Sequence, residues 1–88
     1  MTHRLPVEAE LDLHSFNPRE IASVVEEYIT AASAAGFPEV RLVHGRGIGV
    51  QRGIVQAALE KHPAVVEFWD DHAAHLGATI ARLRRLNE

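Results

Sequence analysis

The chain has 88 residues, no cysteine and 47% hydrophobic content. That suits one small domain held by an apolar core, and it excludes a disulfide framework or a thiolate metal site. No apolar run approaches the ~20 residues needed to span a bilayer, and Met1–Pro6 lacks the apolar stretch of a signal peptide, so the expected location is cytoplasmic. The net charge of −3 disfavours indiscriminate binding of polyanions, but it conceals an asymmetry: residues 1–39 sum to −5 and residues 40–88 to +2. Between 40 and 65, Arg41, Arg46, Arg52 and Lys61 face only Glu60, a local positive field within an acidic chain. Arg41 and Lys61 are expected to be ordinary solvated charges.

Residues 1–8 carry no periodicity and contain Pro6, which predicts a flexible N-terminal arm ahead of a domain over residues 9–85 and a tail at 86–88. Leu11-Asp12-Leu13-His14 alternates apolar and polar. This is a short strand with Leu11 and Leu13 on its buried side and a carboxylate beside an imidazole on the other. Asn17-Pro18-Arg19-Glu20 then starts a helix: Asn17 caps free amides, Pro18 fits the first helical position and Glu20 can close a capping box. Ile21, Val24, Val25, Tyr28, Ile29 and Ala32 fall on one helical stripe, and Gly36 supplies the stop.

Val40–Val43 reads as a second strand, ending at His44-Gly45-Arg46-Gly47-Ile48-Gly49. Glycines at the end of a strand allow positive φ and close approach of a ligand, and the helix that follows offers unpaired amides at its positive dipole end. A phosphate is the natural occupant of such a turn. The third glycine of a dinucleotide fingerprint is replaced by Val50, and no Lys-Ser/Thr pair closes a Walker loop. For the glycines alone an unliganded strand-to-helix turn is the plainer account; His44 and Arg46 favour a functional one. A second helix is expected from about Gly49 to Lys61 with Val50, Ile54, Ala57 and Ala58 inward, stopped before Pro63. Val65–Trp69 is a third strand, with Val66 and Phe68 on one side and Val65, Glu67 and Trp69 on the other. Residues 70–77 form a polar turn with no metal site assigned, and Ala78–Leu83 is the last strand.

The order is therefore βαβαββ, an α/β two-layer sandwich with two helices on a four-stranded sheet. A strand–helix–strand unit makes its strands parallel. His14 and His44 should then emerge on one sheet edge, close enough for Asp12, His14, His44 and the glycine turn to surround one phosphate.

Leu11-Asp12-Leu13-His14, His44-Gly45-Arg46-Gly47 and Gly77-Ala78-Thr79-Ile80 together resemble the Smr (small MutS-related) domain family over roughly residues 9–85, and most closely its short stand-alone bacterial members. The resemblance implies a mixed four-stranded sheet, akin to the C-terminal domain of a bacterial translation initiation factor. It also implies an endonuclease or binding module acting on RNA or on nicked or branched DNA, with the ribosome among candidate partners. Carried onto matching positions, it implicates Asp12 and His14 in cleavage and His44, Gly45, Arg46 and Gly47 in binding and activity. The expected mechanism uses Asp12, His14 and His44 as the catalytic set. Gly45, Arg46, Gly47, Gly49 and Arg52 hold phosphate. No cofactor is firmly implied; a divalent cation such as Mg2+ enters if DNA is cut, because water must then be activated. The alternative is a non-catalytic module that grips nucleic acid or a ribosome through the same turn.

Overall fold

The computed structural model describes residues 8–45, 50–74 and 77–85. Its elements are β1 (Glu10–Asp12), α1 (Pro18–Ala34), β2 (Glu39–Val43), α2 (Val50–Lys61), β3 (Val65–Asp70), a single 3-10 turn at His72–Ala74 and β4 (Ala78–Leu83). The expected element order holds, with small changes at the ends.

Helix α1 is defined by its own ends. The Asn17 side chain accepts from the Arg19 amide at 3.0 Å while the Glu20 carboxylate accepts from the Asn17 amide at 3.3 Å, so two orphan donors of the first turn are satisfied. At the other end Gly36 adopts φ +89°. The Phe37 amide donates to the Ala32 carbonyl at 3.0 Å and the Gly36 amide to the Ser33 carbonyl at 3.1 Å, the paired bonds of a Schellman stop. Asn17→Ala should lower stability by about 1 kcal/mol, read as a lower urea midpoint at unchanged slope.

The sheet order is β1-β2-β4-β3. β1 and β2 pair in parallel, with Asp12 opposite Val43. β4 is antiparallel to both β2 and β3, so β1, β2 and β3 all point one way and end on one edge. Val40, Leu42, Ala81 and Leu83 on the sheet form one buried cluster with Ile21, Val25 and Ile29 of α1 and Val55 and Leu59 of α2. Both helices thus cover one face. The opposite face carries Glu10, Arg41, Glu67, Trp69 and Arg82, cross-linked by Arg41–Glu10 at 2.9 Å and Arg82–Glu67 at 2.7 Å.

Two inward faces differ from expectation. In α2 the buried residues are Val55 and Leu59, flanked by Ile54 and Ala58, while Val50 is 49% exposed and Ala57 is exposed. The run Ile54 to Leu59 offers two overlapping stripes, and the one with the larger side chains removes more apolar area from water. In β3 the register shifts between Val65, opposite Leu83, and Glu67, opposite Arg82. This bulge leaves Val66 exposed and reverses the alternation before it, so Val65 joins Phe68 against the core. Arg41 also departs from a plain solvated charge: its Nε donates to Asp71 at 2.7 Å while an end nitrogen reaches Glu10.

Candidate nucleic-acid site at the strand edge

β1 is short, and the backbone beyond it stays attached to β2 through the Leu13 amide, which donates to the Val43 carbonyl at 2.7 Å. Leu13 is fully buried. Its neighbours Asp12 and His14 are left on the solvent side of the edge, with side chains 53% and 72% exposed. Asp12 Oδ1 accepts from the His14 amide at 3.0 Å and from His14 Nδ1 at 2.6 Å. Those two hydrogen bonds hold the Asp12 carboxyl below its ordinary range, so it stays an anion through neutrality. With Nδ1 carrying its proton toward Asp12, the free lone pair of neutral His14 lies on Nε2.

His44 follows β2 on the same edge but from the other face. Val40, Leu42 and His44 alternate inward and are 2%, 0% and 2% exposed, whereas Asp12 shares the outward parity of Val43. The two imidazoles therefore come to one rim, as parallel strands require, without forming a pair of free rings. His44 Nδ1 lies 3.0 Å from the Gly45 carbonyl and Nε2 lies 2.9 Å from Thr79 Oγ1. Burial pushes the His44 pKa below its ordinary value, because a buried imidazolium is poorly solvated. The folded state thus binds fewer protons than the unfolded one as the pH falls through the usual histidine range. Stability present above about pH 6.5 is lost on acidification toward the lower folded value. Urea titrations at pH 7.5 and 5.5 should show that fall, with a shallower dependence in His44→Gln.

Gly45 takes φ +79° with open space where a Cβ would stand, so conformation rather than crowding calls for glycine. Its amide, expected to face phosphate, donates to the Gly77 carbonyl at 3.0 Å, as does the His44 amide at 3.0 Å. Arg46, Gly47 and Gly49, the other expected phosphate ligands of the turn, lie outside the described residues. Arg52, also expected to hold phosphate, has its fork closed on Asp70, with Nε–Oδ1 2.8 Å and an end nitrogen to Oδ2 2.7 Å. The Arg52 bond lowers the Asp70 pKa, and Gln56 lowers it further.

Gln56 and Asp70 are residues that sequence reasoning gave no part, and Thr79 entered it only within the Gly77-Ala78-Thr79-Ile80 motif, with no role of its own. Strand alternation does put Thr79 on the inward side with Ala81, but nothing in one chain marks Gln56 as its neighbour. Among the described residues no group of three or more His, Asp or Glu side chains is arranged to hold a metal ion. The carboxylates of Asp70 and Asp71 are closed on Arg52 and Arg41.

The Smr domain family profile matches residues 11–84. Endonuclease MutS2 of Thermomicrobium roseum is 36% identical over 80 residues, which is 88% of this chain and 10% of that protein. Endonuclease MutS2 of Halalkalibacterium halodurans is 38% identical over 80 residues, 89% of this chain and again 10% of the relative. The chain thus spans about a tenth of the length of these curated relatives. In three dimensions it is similar to the Smr domain of Thermus thermophilus MutS2, with TM-score 0.81 and 30% identity, covering 88% of this chain and 99% of that one. It is also similar to YdaL, a stand-alone small MutS-related protein from Escherichia coli, with TM-score 0.80 and 26% identity, covering 90% of this chain and 66% of that one.

Proposed function

This chain belongs to the Smr domain family, and from that premise we propose that it is a nucleic-acid phosphodiesterase cutting RNA at the edge where β1 and β2 end. The observation that carries this is the Asp12–His14 pair: an exposed imidazole with one nitrogen fixed on a carboxylate 2.6 Å away and the other turned to solvent. Such a pair is built to take a proton. The endonuclease name of its relatives supports the reaction class.

In the proposed step, His14 Nε2 accepts the proton of a ribose 2′-hydroxyl and the 2′-oxygen attacks the adjacent phosphorus. The bond from phosphorus to the 5′-oxygen breaks, and that oxygen takes a proton from solvent. The products are a 2′,3′-cyclic phosphate and a 5′-hydroxyl. Asp12 orients the ring and stabilises the imidazolium. Arg46 and the amides of Gly47 and Gly49 are the expected clamp on phosphate charge. DNA lacks the 2′-hydroxyl, so cutting it needs activated water. Among the described residues no group of three or more His, Asp or Glu side chains is arranged to hold a divalent ion, and the RNA step written above uses only the side chains named and solvent.

Incubating the protein with end-labelled RNA and with nicked or branched DNA, each with and without a chelator, tests this. Chelator-resistant RNA cutting that leaves cyclic-phosphate ends is the expected result; chelator-sensitive cutting of DNA alone would overturn it. The engagement of both His44 nitrogens favours a second reading, a binding module with no chemistry. It predicts salt-sensitive binding of nucleic acid with no cut product on any substrate.

A further inference from the structure

We propose that Thr79 and Gln56 are positioning residues: they set which nitrogen of His44 carries the proton, and through it they fix Gly45, where the chain enters the glycine turn. The reason lies in the direction each hydrogen bond must run. Asp70, ionised against Arg52, only accepts, so the group that Gln56 turns toward it at 3.0 Å is the amide nitrogen. The same nitrogen lies 3.1 Å from Thr79 Oγ1 and donates there as well. Having accepted from Gln56, the Thr79 hydroxyl sends its single hydrogen to His44 Nε2, 2.9 Å away. Nε2 is therefore the acceptor of the neutral ring and Nδ1 holds the proton.

The far end agrees independently. The group 3.0 Å from Nδ1 is the Gly45 carbonyl, which also only accepts. Arg52 and Gln56 both donate to Asp70, every bond from Gln56 on to Gly45 runs donor to acceptor in one direction, and no buried side-chain polar atom among the described residues is left unpaired. With the opposite tautomer, Thr79 Oγ1 would accept from both Gln56 and Nε2 and its own hydrogen would have no acceptor among the described residues, and two lone pairs would meet at the Gly45 carbonyl.

The consequence is local and specific. Gly45 is gripped by both its polar groups, its amide on the Gly77 carbonyl and its carbonyl on His44, in a left-handed conformation that glycine does not need to adopt when free. The network draws on α2, β3 and β4 to hold the point where β2 gives way to the turn. Fully satisfied buried networks of this kind specify one arrangement. In the phosphodiesterase reading, on which the functional half of this inference rests, His44 acts through Gly45 and not by proton transfer.

Long-range proton–nitrogen NMR of the His44 ring in the unmodified protein at neutral pH tests the network without any mutation. An Nδ1–H ring with an unprotonated Nε2 is expected; an Nε2–H ring would overturn the proposal. Thr79→Val removes the hydroxyl at constant shape and should give a mixed tautomer and faster hydrogen exchange at the Gly45 amide, with Thr79→Ser restoring both. An unchanged His44 ring in a folded Thr79→Val protein would likewise overturn it. In RNA cutting, Thr79→Val should raise KM roughly tenfold with a smaller effect on kcat, again restored by serine. A protein that cuts nothing sinks the phosphodiesterase reading alone, since the NMR result does not depend on turnover.

Discussion

His14→Ala is expected to reduce RNA cleavage by about 10²- to 10⁴-fold, the range that one positioned proton acceptor contributes, while leaving affinity for the same RNA nearly unchanged. The side chain is 72% exposed and its only hydrogen-bonded side-chain partner among the described residues is Asp12. Its removal therefore opens no cavity, and stability should stay within about 0.5 kcal/mol. Asp12→Asn separates two parts of the pair. It keeps an oxygen able to accept from Nδ1 but removes the negative charge that stabilises the imidazolium, so kcat should fall and KM should hold. Single-turnover cleavage measures the chemical step, and equilibrium binding across a salt series measures the phosphates engaged. Equal losses in cleavage and binding for His14→Ala would make His14 a contact, and the binding-module reading would then take over.

The parts of this fold legible in the sequence are those with local causes. The α1 start is written in Asn17, Pro18 and Glu20, and its stop in Gly36, because capping involves neighbours within a few positions. The shared edge of His14 and His44 followed from the parallel pairing that a strand–helix–strand unit imposes. What was not legible depends on distant partners. The alternation of β2 already put His44 on the side of Val40 and Leu42, but strand alternation alone does not tell that this side lies under the helices and that His14 lies across the sheet. The bulge at Val66 reverses a period-two pattern with no glycine or proline to mark it. Arg52 looked free to hold phosphate because Asp70, its partner, lies on a different element. Gln56 and Thr79 are separated by 23 positions, and only the packing of α2 over β4 brings them together.

Leu13→Ala joins the core to the chemistry, and it should cost about 2–5 kcal/mol of stability, a large share of the roughly 5–15 kcal/mol that holds a domain together. Leu13 is 0% exposed and belongs to the main core cluster, so truncation removes buried methyl groups and leaves a cavity. It is also the residue between Asp12 and His14. Its amide is bonded to the Val43 carbonyl at 2.7 Å and its carbonyl accepts from the Phe16 amide at 3.1 Å. The buried side chain thus anchors the backbone from which the outward pair projects, since neighbouring residues of an extended segment face opposite ways. Under conditions where the variant is still folded, cleavage should fall further than its remaining folded fraction explains, because the pair loses its fixed base. Val66→Ala supplies the comparison: Val66 is 42% exposed and projects from the bulge, so its truncation should change stability by no more than about 0.5 kcal/mol. Urea unfolding of both variants beside the parent protein measures the difference. If Leu13→Ala proves as mild as Val66→Ala, the β1 end is not held by its leucine, and another contact must fix the Asp12–His14 geometry.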